Sequence, residues 1–120
     1  MKTHKDLLVW QKGIGLVKAV YEITASFPLS EQFGLTSQIR RSAVSIPSNI
    51  AEGCGRNSDK ELIQFLYIAL GSASELETQI IISTELNFLE KEKADLILYS
   101  INEIIKMTSS LIKSLKLGLK

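Results

Sequence analysis

Apolar residues return at every third or fourth position along four long stretches of this chain, and only three short runs interrupt the pattern. That spacing lays a stripe along one side of a helix, whereas a strand would need alternation. Two prolines and seven glycines among 120 residues are too few breakers for a many-turned β protein. The chain is therefore predicted to be all-α: one domain over residues 1–120, folded as an antiparallel up-down-up-down four-helix bundle. Hydrophobic residues make up 45% of it, enough to build a core without disulfide or metal staples.

The first helix is predicted from about Lys5 to Ser26, with Thr3-His4-Lys5-Asp6 at capping-box spacing. Two stripes mark its buried face: Trp10, Ile14, Val17 and Tyr21, and beside them Leu16, Val20, Ile23 and Phe27. Gly13 and Gly15 each weaken a helix by about 1 kcal/mol relative to alanine, so packing must compensate. Pro28 and Gly34 bracket the next connection. The second helix, Leu35 to Cys54, carries the stripe Leu35, Ile39, Ala43, Ile46 and Ile50. Pro47 inside it predicts a kink. Gly53 and Gly55 predict a left-handed helix stop.

Ser58-Asp59-Lys60-Glu61 is a second capping box and opens the third helix. Its stripe is Leu62, Phe65, Leu66, Ala69, Ala73, Leu76 and Ile80, and its small-residue run from Ala69 to Ser74 lets a neighbour approach closely. Asn87 is the expected terminator. A fourth helix from about Glu90 to Leu115 presents Ala94, Ile97, Ile101, Ile104, Thr108, Leu111 and Leu115.

Chemistry is sparse. His4 is the only histidine and stands near the N-terminus, where a solvated role is expected. Paired Glu-x-x-His motifs of di-iron bundles are thus impossible, and no cofactor or metal site is predicted. The serines lack an internal histidine base. Cys54, the single cysteine, lies near a helix C-terminus that disfavours a thiolate, so packing is its expected role. Glu52, Glu75 and Glu77 read either as solvated or ion-paired surface or as a subunit contact. Arg40-Arg41 reads as a solvated pair, as an ion pair with a neighbouring helix, or as a phosphate contact. No enzymatic activity is predicted. The charged N-terminal residues and the lack of an apolar run of about 20 residues predict a cytoplasmic chain with no membrane span.

Net charge is only +1, but it is unevenly placed. In the predicted bundle, both termini and the second connection share one end. That end gathers Lys2, Lys5, Lys12, Arg56, Lys60, Lys113, Lys116 and Lys120 against Asp6, Glu52, Asp59 and Glu61, eight cations to four acids, a balance of +4. The far end collects Glu22, Glu31, Glu85, Glu90, Glu92 and Asp95 against Lys91 and Lys93. A basic end attracts nucleic acid through counterion release. The competing reading is a solvated face whose lysines complement helix dipoles. Separately, Val44, Pro47 and Ala51 form an apolar strip beside the core stripe of the second helix and are predicted as an oligomer interface.

Three segments together carry a family resemblance: Leu8-Val9-Trp10-Gln11-Lys12; Phe27-Pro28 with Glu31-Gln32-Phe33-Gly34-Leu35; and Gln38 to Gly53, above all Ser45-Ile46-Pro47-Ser48-Asn49-Ile50-Ala51-Glu52-Gly53. With Phe65 to Thr78, they make nearly the whole chain resemble the four-helix-bundle family encoded in 23S rRNA intervening sequences. It departs from that pattern at Gly13, where alanine is common, and at Cys54, where an aromatic is common. The resemblance implies a homopentamer with a central channel. It also implies kinship with the accessory variability proteins of diversity-generating retroelements, which bind nucleic acid and partner a reverse transcriptase. The function expected is thus a non-enzymatic oligomer that binds rRNA or related RNA or DNA. The alternative is a structural or protein-interaction oligomer without nucleic-acid affinity.

Overall fold

The computed structural model describes residues 3–119. Four helices follow in order: α1 (Leu8–Thr24), α2 (Leu35–Cys54), α3 (Asp59–Glu85) and α4 (Lys91–Gly118). Each packs on the next in antiparallel fashion, and α1 also packs on α4, which closes a four-helix bundle. The bundle measures 48 × 22 × 20 Å.

The core runs along the axis. Val20, Ile39, Ile46, Ile50, Leu66, Leu76, Ile80 and Ile101 are fully buried in it. Each such aliphatic side chain contributes about 1.5–3 kcal/mol relative to exposure. Small residues, Ala43, Ala69 and Ala73, line the buried faces of α2 and α3. There Ser45 Oγ and Ser72 Oγ lie 2.8 Å apart, and Asn49 Nδ2 donates back to Ser45 O and Oγ at 2.8 and 2.9 Å.

Local signals set the helix ends. Ser58 Oγ accepts the Glu61 N–H at 3.2 Å and starts α3. Asn87 ends it with φ 63°, a left-handed residue. The Asn87 N–H reaches Thr84 O at 3.0 Å and the Phe88 N–H reaches Ser83 O at 2.9 Å, the paired bonds of a Schellman closure.

Several expectations are corrected. The capping box at Thr3 does form, with Asp6 Oδ2 accepting the Thr3 N–H at 3.1 Å, but it closes a separate 3₁₀ turn, His4–Asp6. Extended backbone at Leu7 then separates that turn from α1. On α1 the buried line is Val9, Gly13, Leu16, Val20 and Thr24, continued by Phe27, while Ile14 and Tyr21 face solvent. The line shifts because Gly13 packs on Pro47: a Cβ added there would stand 3.3 Å from the proline Cβ. Pro47 therefore belongs to the α1–α2 contact and not to an outward strip; of its predicted companions Val44 is exposed and Ala51 half-buried. Gly53 lies inside α2, and Gly55 follows it with φ −82°, so neither makes a left-handed stop.

Candidate nucleic-acid interface

Antiparallel packing puts the start of α1, the α2–α3 turn and the last turns of α4 at one end. Lys5 sits in the 3₁₀ turn, Lys12 on the second turn of α1, Arg56 and Lys60 around the α2–α3 turn, and Lys113 and Lys116 near the end of α4. Lys2 and Lys120 lie outside the described residues. Two long-range contacts bridge the helices: Lys12 Nζ meets Glu103 Oε1, midway along α4, at 3.3 Å, and Lys116 Nζ near the end of α4 donates to Tyr67 OH of α3 at 2.6 Å.

Pairing reduces the free charge. Lys12 is matched by Glu103, and Arg56 Nη2 lies 3.0 Å from Glu52 Oε2 with its guanidinium 4.7 Å from the Phe65 ring centre. Among the described residues Lys5, Lys60 and Lys113 form no ion pair. Exposed pairs of this kind are worth only about 0–1 kcal/mol, so a phosphate can compete with either carboxylate.

Lys113 and Lys116 line a groove of ≈350 Å³ between α3 and α4 with Tyr67, Ser109, Ile112 and Leu117, and no carboxylate lines it. An ammonium 2.6 Å from the phenol oxygen and 5.0 Å from the ring centre stands toward the hydroxyl edge. The contact is thus chiefly a hydrogen bond. Tyr67 was missed in the sequence because it lies off the core stripe and beyond the lysine cluster.

At the far end, Glu31 Oε1 accepts the Leu35 N–H at 3.2 Å, and Lys91 Nζ meets Asp95 Oδ2 at 2.9 Å. Near that end Arg40 Nε donates to Thr24 Oγ1 at 2.9 Å, and the guanidinium lies 4.5 Å from the Tyr21 ring centre. Neither Arg40 nor Arg41 has a carboxylate partner among the described residues.

The remaining candidates are less eventful. His4 stacks edge-on against Trp10 at 5.1 Å between ring centres. Gln79 Nε2 reaches Glu75 Oε2 at 3.5 Å, Glu77 is half-buried, and Glu52 is the partner of Arg56. Cys54 packs against the core, and desolvation pushes its thiol above the usual range. Among the described residues no three histidine, cysteine or acidic side chains group to hold a metal, and no helix is long and apolar enough to cross a membrane.

Residues 5–110 match the family model described as 23S rRNA-intervening sequence protein. The chain is also similar to a protein of unknown function from the S23 ribosomal protein family of Bacteroides thetaiotaomicron, whose crystal structure superposes with a TM-score of 0.80 at 28% identity, covering 88% of this chain and 99% of that one. No curated protein matches it.

Proposed function

This chain belongs to the 23S rRNA-intervening sequence protein family, and we propose that it is a non-enzymatic bundle that binds RNA phosphates through its basic end. The observation that carries this reading is the groove flanked by Lys113 and Lys116, free of carboxylates, at the end where Lys5 and Lys60 also stand unpaired. Phosphate contacts of this kind need no deep pocket. They act by releasing counterions, so each neutralised phosphate steepens the fall of affinity with salt by about 0.7–0.9 in log–log slope.

The test is fluorescence anisotropy with a labelled 23S rRNA intervening fragment across a salt series. Binding at low salt with a slope of about −3 is expected for three to four contacts. Lys113→Glu with Lys116→Glu should flatten that slope. Absence of binding at low salt, or a slope indifferent to the two changes, removes the reading.

A second reading, self-association, has its own observation. Leu96 is 72% and Tyr99 67% exposed, one turn apart on the outer face of α4. Large apolar side chains adjacent on a surface mark contact sites. The family resemblance gives five as the subunit count to test, and sedimentation of the wild type against Leu96→Glu/Tyr99→Glu decides it. A wild type that stays monomeric at high concentration would refute it. Kinship with accessory variability proteins would add a reverse transcriptase as partner, and its co-purification with this chain is the result that kinship demands.

A further inference from the structure

Arg40 and Arg41 take no part in the basic end, and their surroundings form a site of a different kind. A cleft of ≈520 Å³ runs along α2 beside α1, lined by Tyr21, Phe33, Thr36, Ser37, Arg40 and Arg41 among others, with no carboxylate in its walls. Tyr21 and the hydroxyl of Thr24 already hold the Arg40 guanidinium, so its orientation is set before any ligand arrives. Arg41 is exposed and unpaired.

Thr36 and Ser37, which line the cleft, stand in the first turn of α2. Gly34, the N-cap of α2, has no side chain to offer. The Leu35 N–H goes to Glu31 Oε1 and the Gln38 N–H to Gly34 O, which leaves the N–H groups of Thr36 and Ser37 without an acceptor in the chain. Thr36 is only 7% exposed, and its buried Oγ1 also has no partner. Glu31, whose Oε1 takes the Leu35 N–H, does not itself line the cleft. Phe33, which lines the same cleft as the two arginines, is 91% exposed.

We propose that this cleft binds a nucleotide unit, with the phosphate on Arg40, Arg41 and the first turn of α2 and the base stacked on Phe33. A guanidinium offers paired donors to a phosphate, and the positive end of a helix adds backbone N–H groups to them. An aromatic face takes any base without demanding a sequence. Phe33 is what separates this ligand from a bare anion: inorganic phosphate satisfies the donors but leaves the ring uncovered. The proposal shares no residue with the basic end, so either can fail alone.

The unit can come from a free mononucleotide or from a strand, and calorimetry on the full chain separates them. The probes are AMP, adenosine, inorganic phosphate and a short oligoadenylate. AMP is expected to bind more tightly than inorganic phosphate, and adenosine not measurably. Arg41→Gln should weaken AMP at least tenfold, and Phe33→Ser should bring AMP down to the level of inorganic phosphate. Oligoadenylate binding that also collapses in Arg41→Gln identifies a strand as the source; AMP binding without it identifies a free nucleotide. Should Arg41→Gln fold poorly, Arg41→Lys keeps the charge while losing the paired donors and should still weaken AMP. The proposal is overturned if neither AMP nor oligoadenylate binds, if binding ignores Arg41, or if Arg41→Gln alters only the sedimentation of the protein, which would make the pair a contact between copies.

Discussion

Gly13 of α1 lies against Pro47 of α2 so closely that a Cβ on the glycine would stand 3.3 Å from the proline Cβ and 3.5 Å from its Cδ. Two residues that each weaken a helix in isolation thus share one contact. The proline ring fills the space that the missing side chain leaves.

Gly15, two residues on, has nothing within 4 Å of an added Cβ. Gly15→Ala should therefore stabilise the protein by about 0.5–1 kcal/mol through helix propensity alone. Gly13→Ala should gain little, because the proline must yield a few tenths of an ångström. Gly13→Leu should cost about 2 kcal/mol or more as overpacking. Urea denaturation of the three variants checks this; a Gly13→Leu protein as stable as wild type would mean that α1 and α2 are held less closely than described.

Six residues further along α2 the constraint is tighter. A Cβ on Gly53 would lie 2.8 Å from Phe65 Cβ and 2.9 Å from Leu62 Cδ1. Leucine can rotate its methyl away, but a Cβ moves only with its backbone. Gly53→Ala should cost about 1–3 kcal/mol, measurable by the same denaturation series. It should also disturb the turn that carries Arg56 and Lys60.

These glycines show where sequence reasoning stops. The bounds of α2, the Ser58 cap and the Asn87 terminator were legible because each is written in neighbouring residues. Gly53 was misread as a stop, and Pro47 as the partner whose packing compensates for Gly13 was not foreseen, because a residue without a side chain leaves no mark in a hydropathy stripe and its role depends on which helix lies opposite. The arrangement of the basic end followed from topology. The Lys12–Glu103 pair that partly neutralises it joins residues 91 apart and follows from no local pattern. Phe33 and Thr36 were equally hidden: alone, an exposed ring and a buried hydroxyl look like any loop phenylalanine and any helical threonine.

The buried Thr36 hydroxyl has no hydrogen-bond partner within the chain. An unsatisfied buried polar group costs about 1–3 kcal/mol. Thr36→Val keeps the shape and removes the group, so it should raise thermal stability in nucleotide- and phosphate-free buffer by about 1 kcal/mol. A destabilised variant would mean that a hydrogen bond had been lost.

Desolvation raises the Cys54 thiol above its ordinary range. Only the thiolate attacks alkylating reagents. Iodoacetamide should therefore modify native Cys54 more slowly than the urea-unfolded chain at pH 8, with the native rate rising at higher pH. The linkage has the same sign. The neutral thiol is favoured in the fold, so its contribution to stability is complete below the ordinary thiol range and is lost as pH climbs through the raised value. Cys54→Ala should abolish that alkaline component. Equal alkylation rates in native and unfolded protein would count against it.

Asn87 is the one non-glycine residue with positive φ among the described residues, and it closes α3 through the Asn87–Thr84 and Phe88–Ser83 bonds. That closure also delivers the Phe88 ring to Phe27, 5.9 Å between centres, where the α3–α4 turn meets the end of α1. Left-handed backbone costs an ordinary L-residue about 1–2 kcal/mol, asparagine less and glycine nothing. Asn87→Ala should thus lose about 1 kcal/mol, while Asn87→Gly should match or exceed wild type despite its greater freedom when unfolded. The two variants remove the same side chain, so a difference between them in urea denaturation isolates the backbone term. If alanine and glycine lowered stability equally, the asparagine amide would be acting through a contact of its own and the left-handed closure would not be what ends the helix.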